Sequence, residues 1–262
     1  MRTALVAVGI FVVLYSLYLA LAETYNHFYE VTLLGLLFVL LPYVYQKLTP
    51  AITFKFYLAC VIVAILGDLF IVLGFTHLWY YTYAHLWEYA LLYLFIYPAG
   101  GFVMLASYLL VKPYFLPRTD RRIDFRIFFI SLSIVVGAAA VIELFFRDTF
   151  PQPLWNLLFT ATMALSLGLP VAIYSEKLYG ASFLRDLISN PVGCLLATCI
   201  ATYPNFVLHE FPNIIARQWV YTIPAGTFVD TMMLGIPLLI WLTWSFLTII
   251  SVSFFYLFAS NN

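Results

Sequence analysis

Asp68 stands alone in an apolar stretch, preceded by Ile65-Leu66-Gly67 and followed by Leu69-Phe70-Ile71, with no basic residue within helical reach. An acid placed this way in a membrane-crossing segment is costly and marks a site by default. Shielded from water, it can keep a proton and deliver it to a substrate. Glu143 lies in similar surroundings, but Arg147 follows at the spacing of a helical ion pair. Glu88 and Asp230 fall where helices are expected to begin, so each can cap an N-terminus or relay a proton. His209 and Glu210 are expected at the outer end of another helix, as binding groups at the boundary. Glu23, His27, Glu30, His77, His85 and Asp148 also map to the outer third or the outer loops.

These residues sit in a very apolar chain. Of its 262 residues 65% are hydrophobic and only 9% charged, against about 25% charged in a soluble domain. Charges that scarce cannot cover a water-exposed surface, and apolar runs of about 20 residues recur, the length that crosses a bilayer. The expected fold is all-α: a polytopic membrane helix bundle of about eight transmembrane helices, forming one transmembrane domain over residues 1–262. The predicted spans are 4–22, 28–46, 53–76, 88–111, 126–146, 154–174, 189–209 and 228–258. Arg2, the apolar run from Ala4 and Leu19-Ala20-Leu21-Ala22 outline a signal peptide, but the run outlasts a usual signal core, so it is taken as a retained first helix.

Charge orients the bundle. With the N-terminus inside, Arg2, Lys47, Lys55, Lys112, Arg118, Arg121, Arg122, Arg126, Lys177 and Arg185 are cytoplasmic, and only Arg147 and Arg217 lie outside. That positive-inside bias predicts both termini in the cytoplasm and a multi-pass protein of the cell membrane. Trp79, Trp87, Trp155 and Trp219 fall near the outer boundary, as in an aromatic belt. Gly100-Gly101 and Gly137-Ala138-Ala139-Ala140 offer small faces for helix packing. Pro42, Pro98, Pro170, Pro204 and Pro237 are expected to kink spans.

Several chemistries drop out. The chain contains no P-loop, no GxSxG, no HExxH and no histidine-box spacing. No mid-span Lys suits a retinal Schiff base, and no paired mid-membrane histidines suit a haem. Cys60, Cys194 and Cys199 all fall in apolar segments and read as buried small hydrophobes. No metal or cofactor is expected. The net charge of zero gives no reason to expect nucleic acid.

Two stretches resemble each other. One runs from Asp68 through His77-Leu78-Trp79-Tyr80-Tyr81-Thr82 to Glu88 and Pro98; the other runs from His209-Glu210 through Arg217-Gln218-Trp219-Val220-Tyr221-Thr222 to Asp230 and Pro237. Each is an outward helix with acids near its end, a Trp-x-Tyr-Thr turn, and a re-entering helix headed by an acid. Repeated helix-hairpin units place sites at the repeat interface.

The unit resembles the integral-membrane carotenoid-modifying enzymes, the lycopene cyclase type and the related carotenoid hydratases. The stretch Leu234-Gly235-Ile236-Pro237-Leu238-Leu239-Ile240-Trp241-Leu242-Thr243-Trp244 looks like the hydratases' Gly-Val-Pro-Leu run with a Trp shortly after it. The similarity covers roughly residues 55–110 and 200–250. The cyclases' Pro-x-Glu is absent, since Leu238 and Leu239 follow Pro237 and no proline precedes Glu88.

The resemblance implies proton-initiated cyclisation or hydration of an apolar polyene. Protonating an alkene leaves a carbocation, which aromatic faces stabilise; the chain holds 20 Tyr and 25 Phe. Asp68 would be the donor, Glu88 and Asp230 would relay protons, and Trp79, Tyr81, Trp219, Tyr221, His209 and Glu210 would line the substrate's path. Membrane lipid and an apolar isoprenoid are the expected partners. Two other readings stand beside this one: a non-catalytic subunit of a membrane complex, bound to partner subunits, and a small transporter.

Overall fold

A computed structural model describes residues 2–22, 27–83, 85–116, 126–145, 162, 182–222 and 232–259. The chain is mostly helical. Five helical stretches among the described residues are long and apolar enough to cross a membrane: Arg2–Leu21, Phe28–Lys47, Pro50–Leu69, Leu86–Phe115 and Pro191–Ala216. This is the architecture of an integral membrane protein. Predicted span 154–174 lies outside the described residues, apart from Thr162.

Helix α1 (Arg2–Leu21) lies against α2 (Phe28–Val44). Glycine sets how close they come. A Cβ on Gly9 would stand 2.6 Å from the Gly35 carbonyl oxygen, and one on Gly35 would stand 2.9 Å from that of Gly9. Between lipid-solvated helices, such small-residue contact together with interhelical hydrogen bonding replaces the hydrophobic effect as the adhesive. Here Thr32 donates to Ser16 Oγ (3.1 Å), and Ser16 donates to the Phe28 carbonyl (2.7 Å). The opposite side of α1 presents Phe11, Leu14 and Tyr18, all exposed, as a face suited to lipid.

Helix α3 (Pro50–Val63) starts with Thr49 accepting a hydrogen bond from the Ile52 amide and Pro50 in the first turn. It runs without a break into wide π-type turns over Ala64–Thr76, which carry Asp68. Wide turns of this kind recur at functional sites. The re-entering stretch is α4 (Leu86–Leu91), a wide turn (Leu92–Ile96) and α5 (Tyr97–Phe115). Then come α6 (Arg126–Phe145), the short α7 (Phe183–Ser189), α8 (Pro191–Ala216) and α9 (Leu238–Ala259).

Two boundaries differ from expectation. Helix α8 runs on past residue 209 to Ala216 and ends only where Arg217 turns left-handed (φ 51°), so His209 and Glu210 are inside the helix and buried. The last helix starts at Leu238 instead of 228. Before it, β3 (Met232–Met233) and β4 (Ile236–Pro237) form a tight hairpin whose turn places Leu234 and Gly235 at positive φ. Pro237 therefore precedes the helix and does not kink it, and Asp230 lies outside the described residues.

The helices converge at two poles. At the cytoplasmic pole predicted by charge, Lys112 of α5 pairs with Asp186 of α7 (2.7 Å), which also accepts from Tyr108 (2.9 Å) and Tyr256 (2.8 Å). Asn190 starts α8 by accepting from the Gly193 amide, and it also donates to the Phe115 carbonyl. The apolar layer beside this staple includes Phe56, Leu105, Tyr108, Val252 and Phe255. Gly101 fits closely against Cys60 in that region, while Gly137 has no neighbour within 4 Å of its would-be Cβ among the described residues.

The α1–α2 contact is testable. Gly9→Val should lower stability by about 1–3 kcal/mol through overpacking, seen as a reduced Tm in detergent. Gly100→Ala, which meets only Tyr29 and Leu33 atoms at 3.7 and 3.8 Å, should stay within about 0.5 kcal/mol. Equal Tm values for the two would remove glycine contact as the basis of this packing.

Candidate functional site

At the opposite pole the two sequence repeats pair directly. β1 (Trp79–Tyr81) runs antiparallel to β2 (Trp219–Tyr221), with Trp79 opposite Tyr221, Tyr80 opposite Val220 and Tyr81 opposite Trp219. The surrounding bonds come in matching pairs. The Thr82 amide donates to the Gln218 carbonyl and the Thr222 amide to the Leu78 carbonyl. The Thr82 hydroxyl donates to the Arg217 carbonyl, and the Thr222 hydroxyl makes a short bond to the His77 carbonyl. His77 (φ 50°) and Arg217 (φ 51°) both take the left-handed conformation at the helix end. A side chain there costs roughly 1–2 kcal/mol, which persists only where the surroundings over-determine it. The local two-fold is thus built into backbone, threonines and helix ends alike.

Each repeat grips one buried acid. Asp68 Oδ1 accepts from Trp79 Nε1 (2.9 Å). Its Oδ2 accepts from Tyr93 (2.8 Å) and, more weakly, from Tyr81 (3.4 Å), whose hydroxyl also bonds that of Tyr97 (2.6 Å). Glu210 Oε1 accepts from Trp244 Nε1 (2.7 Å), and Oε2 accepts from Tyr221 (2.6 Å), whose oxygen in turn accepts from Trp219 Nε1 (2.7 Å). Both carboxyls are buried. Neither bonds a Lys, Arg or His among the described residues.

That donor chemistry fixes where a proton can sit. An indole N–H only donates, so Asp68 Oδ1 and Glu210 Oε1 must be acceptors. A phenol works in both directions, so a carboxyl proton would ride on Asp68 Oδ2 or Glu210 Oε2, facing a tyrosine hydroxyl. Burial pushes the Tyr81 and Tyr221 phenols well above the usual tyrosine range, with Asp68 and Glu210 adding to the effect. Both phenols therefore stay in the O–H form and do not take the negative charge themselves.

No family model, curated protein or solved structure matches this chain.

A second polar knot lies beside the two units. Gln218 Nε2 donates to both oxygens of Glu30 (2.8 and 2.7 Å), Tyr83 donates to Glu30 Oε1 (2.7 Å), and Gln218 Oε1 accepts from the Tyr29 amide (3.2 Å). His27 stands between Glu30 (3.4 Å) and Glu88 (3.1 Å). Glu88 also accepts from the His85 amide (2.5 Å), the capping role its position at the start of α4 implied. Burial, with the Glu30 charge adding to it, pushes the Tyr83 phenol up as well.

The expected site residues therefore divide into groups. Asp68 joins Trp79 and Tyr81; Glu210 joins Tyr221, with Trp219 behind it. Trp79, Tyr81 and Tyr221 hold carboxyl groups directly, and Trp219 does so through the Tyr221 hydroxyl. Glu88 sits with Glu30 and His27, and no hydrogen bond links it to Asp68 among the described residues. His209 packs between Tyr29 and Trp244 (ring centroids 4.9 and 5.4 Å). Asp230 and Arg147 lie outside the described residues, and Glu143 accepts from Thr162 (2.6 Å). Sequence reasoning passed over Tyr93, Tyr97 and the pairing of Gln218 with Glu30. Tyr93 and Tyr97 follow Tyr89 at helical spacing, four and eight residues on, a stripe visible in retrospect. Gln218 and Glu30 are 188 residues apart, and no local pattern connects them.

Gln218 joins α2 to the hairpin pair, so Gln218→Leu should be severe. Losing its donors from a buried carboxyl costs about 1–3 kcal/mol, measurable as a fall in Tm. Adding Glu30→Leu should restore part of that loss. If the double variant loses the sum of the two single effects, Gln218 and Glu30 are not coupled.

Proposed function

We propose that this protein is a membrane-embedded enzyme that protonates an apolar isoprenoid or polyene, with Asp68 and Glu210 as its acids. The observation that carries this reading is the repeated grip: each buried carboxyl takes an indole N–H on one oxygen and a phenol on the other, with no cation bonded to it among the described residues. A salt-bridged acid would hold its charge permanently. An acid bound by neutral donors can give up a proton and have the resulting carboxylate stabilised where it forms.

The step balances simply. The alkene π pair takes the proton from Asp68 Oδ2, forming a C–H bond. The O–H pair stays on the carboxylate, steadied by Trp79, Tyr93 and Tyr81. The carbocation on the neighbouring carbon is attracted to aromatic faces. It then loses an adjacent proton, giving an isomerised or cyclised alkene, or takes up water and loses a proton, giving an alcohol. Tyr97 and Tyr81 form the hydrogen-bonded route by which Asp68 is reprotonated.

The proposed setting is eight spans with both termini cytoplasmic. The parity of the described helices supports it. Ala20, Phe28 and Ala216, near ends of α1, α2 and α8, pack together at the hairpin pole, and Val44, Phe115 and Phe183 pack together at the Lys112–Asp186 pole. Phe115 and Phe183 thus lie at one pole, which suits the two predicted spans, 126–146 and 154–174, between them. The positive-inside count supports a cytoplasmic Lys112–Asp186 pole.

A second reading rests on the same pairing. The hairpin pair could serve only to lock the bundle of a non-catalytic membrane subunit, with the acids as buried fasteners. Turnover in deuterated buffer separates the two. Wild-type protein incubated with a linear polyene in D₂O should place one deuterium in the product. Asp68→Asn should fold and lower that rate by about 10²–10⁴-fold, the usual worth of a general acid. A deuterium-free polyene with wild-type protein, and an Asp68→Asn variant that fails only in assembly, would overturn the enzyme reading.

A further inference from the structure

One buried polar atom is used by neither acid unit. His209 is fully buried in α8. Its Nδ1 lies 2.6 Å from the Asn205 carbonyl oxygen. A carbonyl only accepts, so Nδ1 carries the hydrogen and Nε2 presents a lone pair. That Nε2 is shielded from solvent and has no hydrogen-bond partner among the described residues. Buried polar atoms without partners are rare and call for an explanation.

The surroundings narrow the explanation. Trp244 stacks on the imidazole and Tyr29 meets it edge to face. Phe206, one turn earlier on α8, packs on Trp244 (ring centroids 5.9 Å). The adjacent residue is Glu210, whose carboxyl takes the indole N–H of the same Trp244. An acceptor set among aromatic rings, one residue from a buried acid, suits a ligand that is apolar along its length and carries one O–H. It does not suit an anion, which would meet a lone pair and a carboxyl. It does not suit a metal ion either, as no group of three His, Cys, Asp or Glu able to hold one occurs among the described residues.

We propose that His209 Nε2 accepts a hydrogen bond from the hydroxyl of an apolar isoprenoid alcohol, holding that end of the molecule beside Glu210. This rests on, and narrows, the reading of the protein as an isoprenoid-modifying enzyme: the substrate or the hydrated product bears a hydroxyl. His209 is then a specificity-determining residue, because a hydrocarbon leaves its lone pair buried and unmet. A site built around such an acceptor penalises the ligand that lacks the donor.

The test is binding of geranylgeraniol and of its methyl ether to the full-length protein in detergent, followed by tryptophan fluorescence, to which Trp244 contributes. The alcohol should bind about tenfold more tightly than the ether, the worth of one hydrogen bond. His209→Phe keeps a ring of similar size and should bind both equally. On wild-type protein, ¹⁵N NMR of labelled histidine should show the Nε2 resonance of His209 moving with the alcohol and not with the ether. Equal binding of the two probes by wild-type protein, or an unmoved Nε2 resonance because a buried water already occupies it, overturns the proposal. Failure of the parent reading looks different: the alcohol preference survives, but no deuterium enters a polyene.

Discussion

The two-fold pairing of β1 with β2 is the constraint on which the polar end of this molecule depends. Three residues of ladder on each side are too few to be stable alone. What holds them is agreement among independent features: two left-handed helix ends, two threonines bonding across, and two acids each held by the aromatics of its own hairpin. The pairing ties the end of α3 to the end of α8, far apart in sequence. Gln218 then ties this pair to α2 through Glu30. In a bilayer, where apolar burial does not distinguish lipid from protein, such polar fastening and the glycine contact of α1 with α2 carry specificity that a soluble core would get from hydrophobic packing.

The two poles use different electrostatics, and the contrast bears on function. At the Lys112 pole the carboxyl of Asp186 meets an ammonium group and two phenols, an arrangement with charge on both partners. At the hairpin pole Asp68 and Glu210 meet only neutral donors among the described residues. The first is suited to holding helices together and the second to exchanging a proton. The aromatic residues at the hairpin pole therefore do more than mark the membrane boundary: Trp79, Tyr81, Tyr221 and Trp244 aim their polar tips at carboxyl oxygens, while their rings form the walls between the repeats.

Much of this was legible in the residues themselves. Runs of apolar residues located α1, α2, α3 and the α4–α5 stretch closely, because in a membrane hydropathy and length nearly determine the element. The repeat was visible as Trp-x-Tyr-Thr, and the structure shows what each copy does: it supplies a strand to the other and its tyrosine hydroxyl to an acid. Helix ends were less legible. Pro204 and Pro212 are breakers by type, yet neither ends α8, which stops only where Arg217 turns left-handed. The hairpin at 232–237 reads as apolar as the helix that follows, and only the Leu234–Gly235 turn betrays it. Contacts such as Gln218 with Glu30 were not legible at all, since their partners are set by packing and not by spacing. Glu88, grouped by sequence with Asp68, belongs with His27 because the capping turn of α4 directs it there.

The central claim is that Asp68 and Glu210 are exchangeable carboxylic acids and not fixed charges. Infrared difference spectroscopy of the protein in H₂O and D₂O addresses it directly, because a protonated carboxyl has a C=O stretch that shifts on deuteration. The account predicts such a band growing in as the pH is lowered, diminished in Asp68→Asn and again in Glu210→Gln. A spectrum with carboxylate bands only, unchanged by either substitution, would contradict it.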